Sequence, residues 1–351
     1  MKVAQETRYP WDGAVKMTVE PDRSTPFSVN VRIPGWARNE PVPSDLYRFA
    51  RKIDDPVVLK VNGRRVPINL EKGYVSLTRT WKKGDTIELN LPMPVRRIVA
   101  NDQVAADRGR VAIQRGPMVY AAEWPDNPKG QVRNLMLPDS APLTAEYKPN
   151  LLRGVTIVKG KAVALAYNAQ GAVTKAEQDF TAIPYYAWAN RGSGQMMVWF
   201  PTTEANAKPA PYPTIASTAK VTTSGRKNPG PINDGEEPAA SSDSSAYFDW
   251  WPAKGSTEWV EYAFEKPGTV SEAQLYWFDD TGHGGVRVPT SWRLLYKDGN
   301  DWKPVENLEP YGVAKDRYNK VAFKPVTTSG VRLEVTMQPN FSAGIQEWKV
   351  K

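Results

Sequence analysis

Apolar and polar residues alternate with a period of two through residues 1–127. Ser28–Ile33 alternates strictly, with Val29, Val31 and Ile33 on one face, and Pro34-Gly35 ends the run; this is the pattern of a half-buried strand. Val57–Val61 leads into Asn62-Gly63, a dipeptide that tolerates positive φ at both turn positions and so predicts a tight hairpin. Tyr74–Thr78 and Thr86–Leu91 follow glycine turns, and Val111–Ile113 and Met118–Tyr120 flank Gly116-Pro117. Short strands at such regular spacing predict an antiparallel sandwich. The one helical signal is Ser44–Lys52, a capped insertion between strands.

Residues 128–200 read as a second β segment that completes the first sandwich or packs on it. Its strands are Gly154–Val158, Ala162–Leu165, Phe180–Ala189 and Met196–Phe200. Residues 201–213 carry four prolines among small polar residues, the composition of a semi-rigid linker. Residues 214–351 start a fresh β domain that holds 7 of the 13 tryptophans. Its strands are Trp259–Phe264, Val270–Phe278, Ser291–Tyr296, Lys320–Phe323, Val331–Met337 and Ile345–Val350. The fold class is therefore all-β, built of antiparallel β-sandwiches.

Composition narrows the functions open to such a chain. The 351 residues carry a formal net charge of +8, but the basic residues come as scattered pairs beside acidic or turn residues. That describes a solvated surface rather than the basic stripe a nucleic-acid partner requires. Cysteine is absent, which removes disulfides, thiolate metal sites and cysteine nucleophiles together. No apolar run approaches the roughly 20 residues of a membrane-spanning helix. The N-terminus lacks the apolar core of a signal peptide and enters at once into mid-domain sequence, so the chain reads as the C-terminal part of a longer protein.

Two resemblances organise these observations. Tyr9-Pro10-Trp11-Asp12-Gly13, Arg32–Ala37, Val61-Asn62-Gly63, Gly73-Tyr74, Arg79–Asp85, Arg115–Tyr120 and Ile183–Arg191 together resemble the β-sandwich region that follows the catalytic barrel in glycoside hydrolase family 127, the β-L-arabinofuranosidases. Ile232–Gly235, Trp259–Phe264, the series Pro289, Trp292, Tyr296–Gly299 and Trp302, and Ser342–Trp348 resemble the discoidin-like (factor 5/8 type C) sandwich, as used in carbohydrate-binding module family 32. The first resemblance implies an upstream helical barrel with a cysteine nucleophile in a zinc site. This chain has no matching position, so no catalytic residue and no catalytic cofactor is assigned to it. The resemblances also imply a periplasmic or extracellular parent protein, an upstream catalytic domain as one partner and plant-type oligo- or polysaccharide as the other.

The stretch Leu275–Pro289 is the strongest candidate for chemistry. An aromatic run ends in Asp279-Asp280, a glycine-rich loop with the chain's only histidine, and Arg287. Stacking on a sugar's C–H face and directional bonds to hydroxyls need these residue types. The candidate carbohydrate-binding set is Trp250, Trp251, Trp277, Asp279, Asp280, His283, Arg287 and Phe341, with one tryptophan of the 250–251 pair buried. The plainer alternative puts Trp277 and Phe278 in the core, His283 in solvent and Arg287 in an ion pair with Asp279 or Asp280. Hydrolysis needs two carboxylates facing each other across the bond, whereas neighbours at a strand end diverge. The discoidin resemblance further implies a structural calcium, at the positions Asn233, Asp234, Ser242 and Glu347. In residues 1–200, Trp11, Trp36, Trp81 and Trp188 read as core or interface, and part of that surface as an apolar patch suited to the upstream domain. Two other readings stay open: a structural or protein-interaction module that binds no sugar, and an autonomous glycosidase.

Overall fold

The computed structural model describes residues 1–192 and 194–351. The chain divides into two units, Met1–Ala210 and Pro211–Lys351. Every named strand pair in both units is antiparallel, and the helical turns among the described residues are short 3-10 segments. Among the described residues, no helix is long and apolar enough to cross a membrane.

In the first unit, Thr25–Arg32 pairs with Tyr74–Trp81, placing Val29 opposite Leu77 and Val31 opposite Val75. A five-stranded sheet, including Lys2–Thr7, Ala14–Glu20 and Asp85–Asn90, supplies Val19, Leu59, Ile87 and Leu89 to the same core. Fully buried Trp81 fills its centre and donates its indole N–H to Phe27 O at 3.0 Å. Asn62 and Gly63 take positive φ in the turn between Val58–Val61 and Arg64–Arg65, as their dipeptide predicts.

A ten-stranded sheet gathers the rest of the unit. Val155–Tyr167 and Val173–Pro184 join it through Met118–Glu123, so residues 128–200 share a sheet with the end of the first segment. Phe180 and Phe200 meet edge-to-face at 5.2 Å in its core.

Two expectations are corrected here. Ser44–Lys52 is not a helix: Tyr47–Phe49 is a strand against Val95–Ala100. Burial of Phe49 and the packing of Tyr47 on Trp199 outweigh the local helical signal. The proline-rich stretch from 201, expected as a semi-rigid linker, runs with the first unit as far as Ala210: Pro201 pairs with Arg110 and Ala210 O accepts from Tyr167 N at 2.9 Å. Trp11 and Trp36 are half-buried, while Trp188 is 41% exposed beside the parallel ring of Tyr185.

The second unit is a seven-stranded sheet with Gly344–Val350 between Phe248–Asp249 and the long strand Thr257–Phe278. The long strand shifts register twice against Asn319–Thr336, between Ala263 and Gly268 and between Val270 and Glu272, and once against Gly344–Val350, between Tyr276 and Trp277. Its first part pairs with Gly330–Thr336 and its second with Asn319–Ala322 and Gly344–Val350. Bends of this kind let one strand serve two faces of a curved sheet. Tyr262, Trp277, Trp292 and Trp348 fill the core, and the Tyr262 hydroxyl donates to Trp348 O at 2.9 Å.

Candidate functional site

The run Leu275-Tyr276-Trp277-Phe278 ends the long strand, and all four side chains are buried. An apolar run without alternation marks a strand covered on both faces, and this one is. Trp277 is 0% exposed and meets Trp292 at 6.0 Å in a T-shaped pair, while Phe278 stacks on Tyr247 at 3.8 Å. Trp277 therefore belongs to the core and offers no surface to a ligand. Trp250 is likewise buried, edge-to-face with Phe248 at 4.9 Å.

The loop after the strand is organised by its two carboxylates acting separately. Asp279 is buried. Its carboxylate accepts from Thr281 N at 3.0 Å, Val288 N at 3.1 Å, the Thr281 hydroxyl and Lys315 Nζ at 2.8 Å. Burial works to raise its pKa, but the Lys315 ammonium and the Thr281 and Val288 donors outweigh it and hold the carboxyl below the ordinary carboxylate range. Asp279 is thus an internal anchor rather than a ligand contact. Asp280 Oδ1 accepts from Val286 N at 2.8 Å and from Arg287 at 2.9 Å. A Cβ at position 284 would stand 2.0 Å from Asp280 Oδ2, so a larger residue there would have to push the Asp280 carboxylate aside. His283 is exposed at the tip.

The returning chain bridges to the segment before the last strand. Ser342 N donates to Gly285 O at 3.0 Å, and Arg287 N to Ser342 O at 2.9 Å. This pairing sets the Arg287 guanidinium 4.5 Å from the centre of the Phe341 ring. On the other side, Trp251 is 45% exposed. Its backbone N–H is held by Asp249 at 2.9 Å, and Asp249, itself buried, pairs with Lys227 at 2.6 Å. The indole lies against Gly285, where a Cβ would come within 2.6 Å of the ring. Lys254 Nζ stands 4.8 Å from the ring centre.

The fold therefore brings together Trp251, Asp280, Arg287 and Phe341 on one rim, with His283 on the loop tip, and places Trp250, Trp277 and Asp279 beneath it. Sequence reasoning missed Gly285 as the seat of the indole, Lys254 beside it and Lys315 under the loop. The doublet Gly284-Gly285 was the available signal, since close approach of a ring to backbone demands a residue without a Cβ.

The positions suggested for calcium divide. Glu347 is buried, and its carboxylate accepts from Gly235 N at 3.3 Å. Burial, then the charge of Asp234, push Glu347 up to about 9. Two carboxylates so placed suit a hard divalent cation, which would relieve both penalties. Asn233 does not offer its amide nitrogen, which donates to the carbonyls of Ala216 and Ala219 at 2.7 and 3.4 Å. Ser242 is exposed, and its neighbour Ser241 is the residue tied into the fold, through Asp316. No group of three or more His, Asp or Glu suited to a metal occurs among the described residues, so carbonyl oxygens would have to complete any shell.

Comparison with known proteins places the first unit. Residues 1–93 match the middle domain of the family-127 β-L-arabinofuranosidases, and residues 95–201 match the glycoside hydrolase family 127 C-terminal domain. The chain is similar to the non-reducing end β-L-arabinofuranosidase of Bifidobacterium longum subsp. longum, with 36% identity over 216 residues, 57% of this chain and 30% of that protein. A solved family-127 β-arabinofuranosidase is 39% identical with a TM-score of 0.57, covering 60% of this chain and 33% of its own. A β-L-arabinofuranosidase of the same family from Geobacillus stearothermophilus T6 is 38% identical with a TM-score of 0.49, covering 57% and 30%. The chain thus spans about a third of the length of these relatives.

Proposed function

Residues 1–201 belong to glycoside hydrolase family 127, as its middle and C-terminal domains, and from that premise we propose that this chain is the non-catalytic portion of an exported β-L-arabinofuranosidase-like enzyme. In this reading the hydrolytic machinery lies in an upstream domain, the substrate is a plant-type polysaccharide, and Pro211–Lys351 is a discoidin-like carbohydrate-binding module. The observation that carries the binding role is the exposed Trp251 indole, seated on Gly285 beside a loop that presents Asp280 and Arg287. A flat ring packed against Gly285, with Lys254 over it and 45% of its residue's surface exposed, stacks on a sugar with little loss of side-chain freedom. Asp280 and Arg287 orient each other and keep further donor and acceptor capacity for hydroxyls. The non-catalytic role is supported by the loop carboxylates: Asp279 is committed to Lys315 and Asp280 to Arg287, so neither is placed to act as a general acid opposite the other.

Calorimetric titration with arabinose, galactose and arabino-oligosaccharides tests the module. Binding that disappears in Trp251→Ala is expected. No heat from any of these sugars would leave the alternative, a structural or protein-interaction module. Release of arabinose from a β-L-arabinofuranoside by this chain alone would overturn the non-catalytic reading. Within this proposal Asp234 and Glu347 are the side chains that hold a structural calcium; a melting temperature that calcium raises and a chelator lowers is expected, and identical melts would remove the ion from the scheme.

A further inference from the structure

A second concave surface, in the first unit, has the opposite character to the rim. It is a cavity of about 630 Å³ on one face of the ten-stranded sheet. Seven basic and three acidic residues line it, and without Arg96, whose side chain turns to the opposite face over Phe49, the excess is three positive charges on a chain whose formal net charge is +8. The register creates this concentration. Arg48 lies opposite Val99, and Ala50 N donates to Arg97 O at 2.8 Å, so Arg48 and Arg97 share the face that looks into the cavity. Arg51 and Lys52 continue from the same edge strand.

These charges are poorly matched from within. Arg97 sits low in the wall, its side chain 13% exposed. It donates to Ala141 O at 2.8 Å and Leu137 O at 3.3 Å, and its one carboxylate, Asp139 at 3.7 Å, is largely in solvent. Its neighbour Arg96, on the opposite face of the strand over the Phe49 ring, donates only to oxygens of neutral groups, Trp36 O, Asn39 Oδ1 and Arg51 O. Arg48, Arg51 and Lys52 make no ion pair among the described residues. A concave wall of one sign focuses its field and raises the local concentration of counter-charge. Between the cations the floor is apolar, built from Val95, Val99, Val111 and Leu143. No aromatic side chain lines the cavity, so stacking of a nucleobase finds no platform. A bare inorganic anion would leave the apolar floor unused, whereas a sugar acid presents a carboxylate and a C–H face together.

We propose that this cavity is a second glycan site, selective for uronate-bearing oligosaccharide, with the carboxylate held by Arg97 and the rim cations Arg48 and Lys52 and the ring's C–H face on the valine floor. It extends the reading of the chain as a glycan-handling portion of a family-127 protein, and it is independent of the Trp251 rim. Arginine suits the role because its planar fork meets a carboxylate with two parallel bonds.

The test is calorimetric titration of the whole chain with trigalacturonate, with its methyl ester and with hexaglutamate. Trigalacturonate should bind and its methyl ester should bind at least about tenfold more weakly, the scale of one lost charge-assisted contact. Arg97→Gln should weaken the acid by a similar factor. Because Arg97 also holds two backbone carbonyls, the double variant Arg48→Gln, Lys52→Gln, on exposed side chains, provides the reading free of folding effects and should also weaken it. Trp251→Ala should leave trigalacturonate binding unchanged. Equal affinity for acid and ester would overturn the proposal, as would an unchanged affinity in the double variant. Hexaglutamate binding as tightly as trigalacturonate would reassign the cavity to acidic peptide. Binding of neutral arabino-oligosaccharide through Trp251, with no binding of trigalacturonate, would remove this site and leave the proposed function standing.

Discussion

The rim of the second unit and the cavity of the first, the two proposed glycan sites, distribute their charge in opposite ways. On the rim, the loop charges are internally balanced: Asp280 faces Arg287, Asp279 faces Lys315, and beside them stands the half-exposed Trp251 with Lys254 over its ring. In the cavity, charge is left unbalanced around Arg97 and the apolar floor is aliphatic. Balanced charge orients but attracts weakly at a distance, so such a surface selects by shape and stacking. Unbalanced charge in a concavity attracts before contact, so it selects by sign.

Four measurements sharpen or break this contrast, taken from the largest effect down. Trp277→Ala removes a fully buried indole and should cost about 3–5 kcal/mol of stability, while Trp251→Ala, at the half-exposed rim, should cost no more than about 1 kcal/mol; unfolding in urea separates them, and comparable losses would mean that Trp251 is structural after all. Next, Lys315→Met strands the buried Asp279 carboxylate and should cost about 1–3 kcal/mol, discounted toward the lower end because the lysine is half in solvent. The same carboxyl carries a pH signature. Its pKa is lower folded than unfolded, so its contribution is fully present above the unfolded value of 3.8 and is lost as pH falls through the lower folded one. The stability gap between the native chain and Asp279→Asn should therefore be constant near neutrality and close below pH 3.8; a gap that stays open in acid would point to packing rather than charge. Smallest is the response of the two surfaces to salt. Raising ionic strength from about 0.1 to 1 M shortens the screening length from about 10 to 3 Å, which should weaken trigalacturonate severalfold and leave neutral sugar binding nearly unmoved.

How far these surfaces could be read from sequence differs for a physical reason. Strands such as Thr25–Arg32 announce themselves because one face is wet, and the Asn62-Gly63 turn because only a few dipeptides accept its dihedrals. The rim was half legible. Arg287 and Phe341 reach it, but the aromatic run that drew attention, Trp277 and Phe278, lies in the core. Its lack of alternation already implied cover on both faces. Alternation from buried Phe248 likewise puts Trp250 inward and Trp251 outward. The cavity was illegible. Arg48, Arg51-Lys52 and Arg96-Arg97 look like scattered surface pairs until the strand register sets Tyr47–Phe49 beside Val95–Ala100, and that pairing was obscured by a local helical signal.

The two units also differ in when their chains can close. The sheets of the first unit are complete once Phe200–Pro201 has paired with Arg110–Val111. In the second, Gly344–Val350 lies between Phe248–Asp249 and the 22-residue strand Thr257–Phe278, so one side of the long strand stays uncovered until residue 350 has been made. Non-local pairing of this kind folds slowly and exposes strand edges while it waits. During synthesis the first unit can be finished while the second, with its long strand already able to pair with Asn319–Thr336, still leaves the Ala273–Phe278 edge waiting for Gly344–Val350, and that open edge is where misassociation can occur.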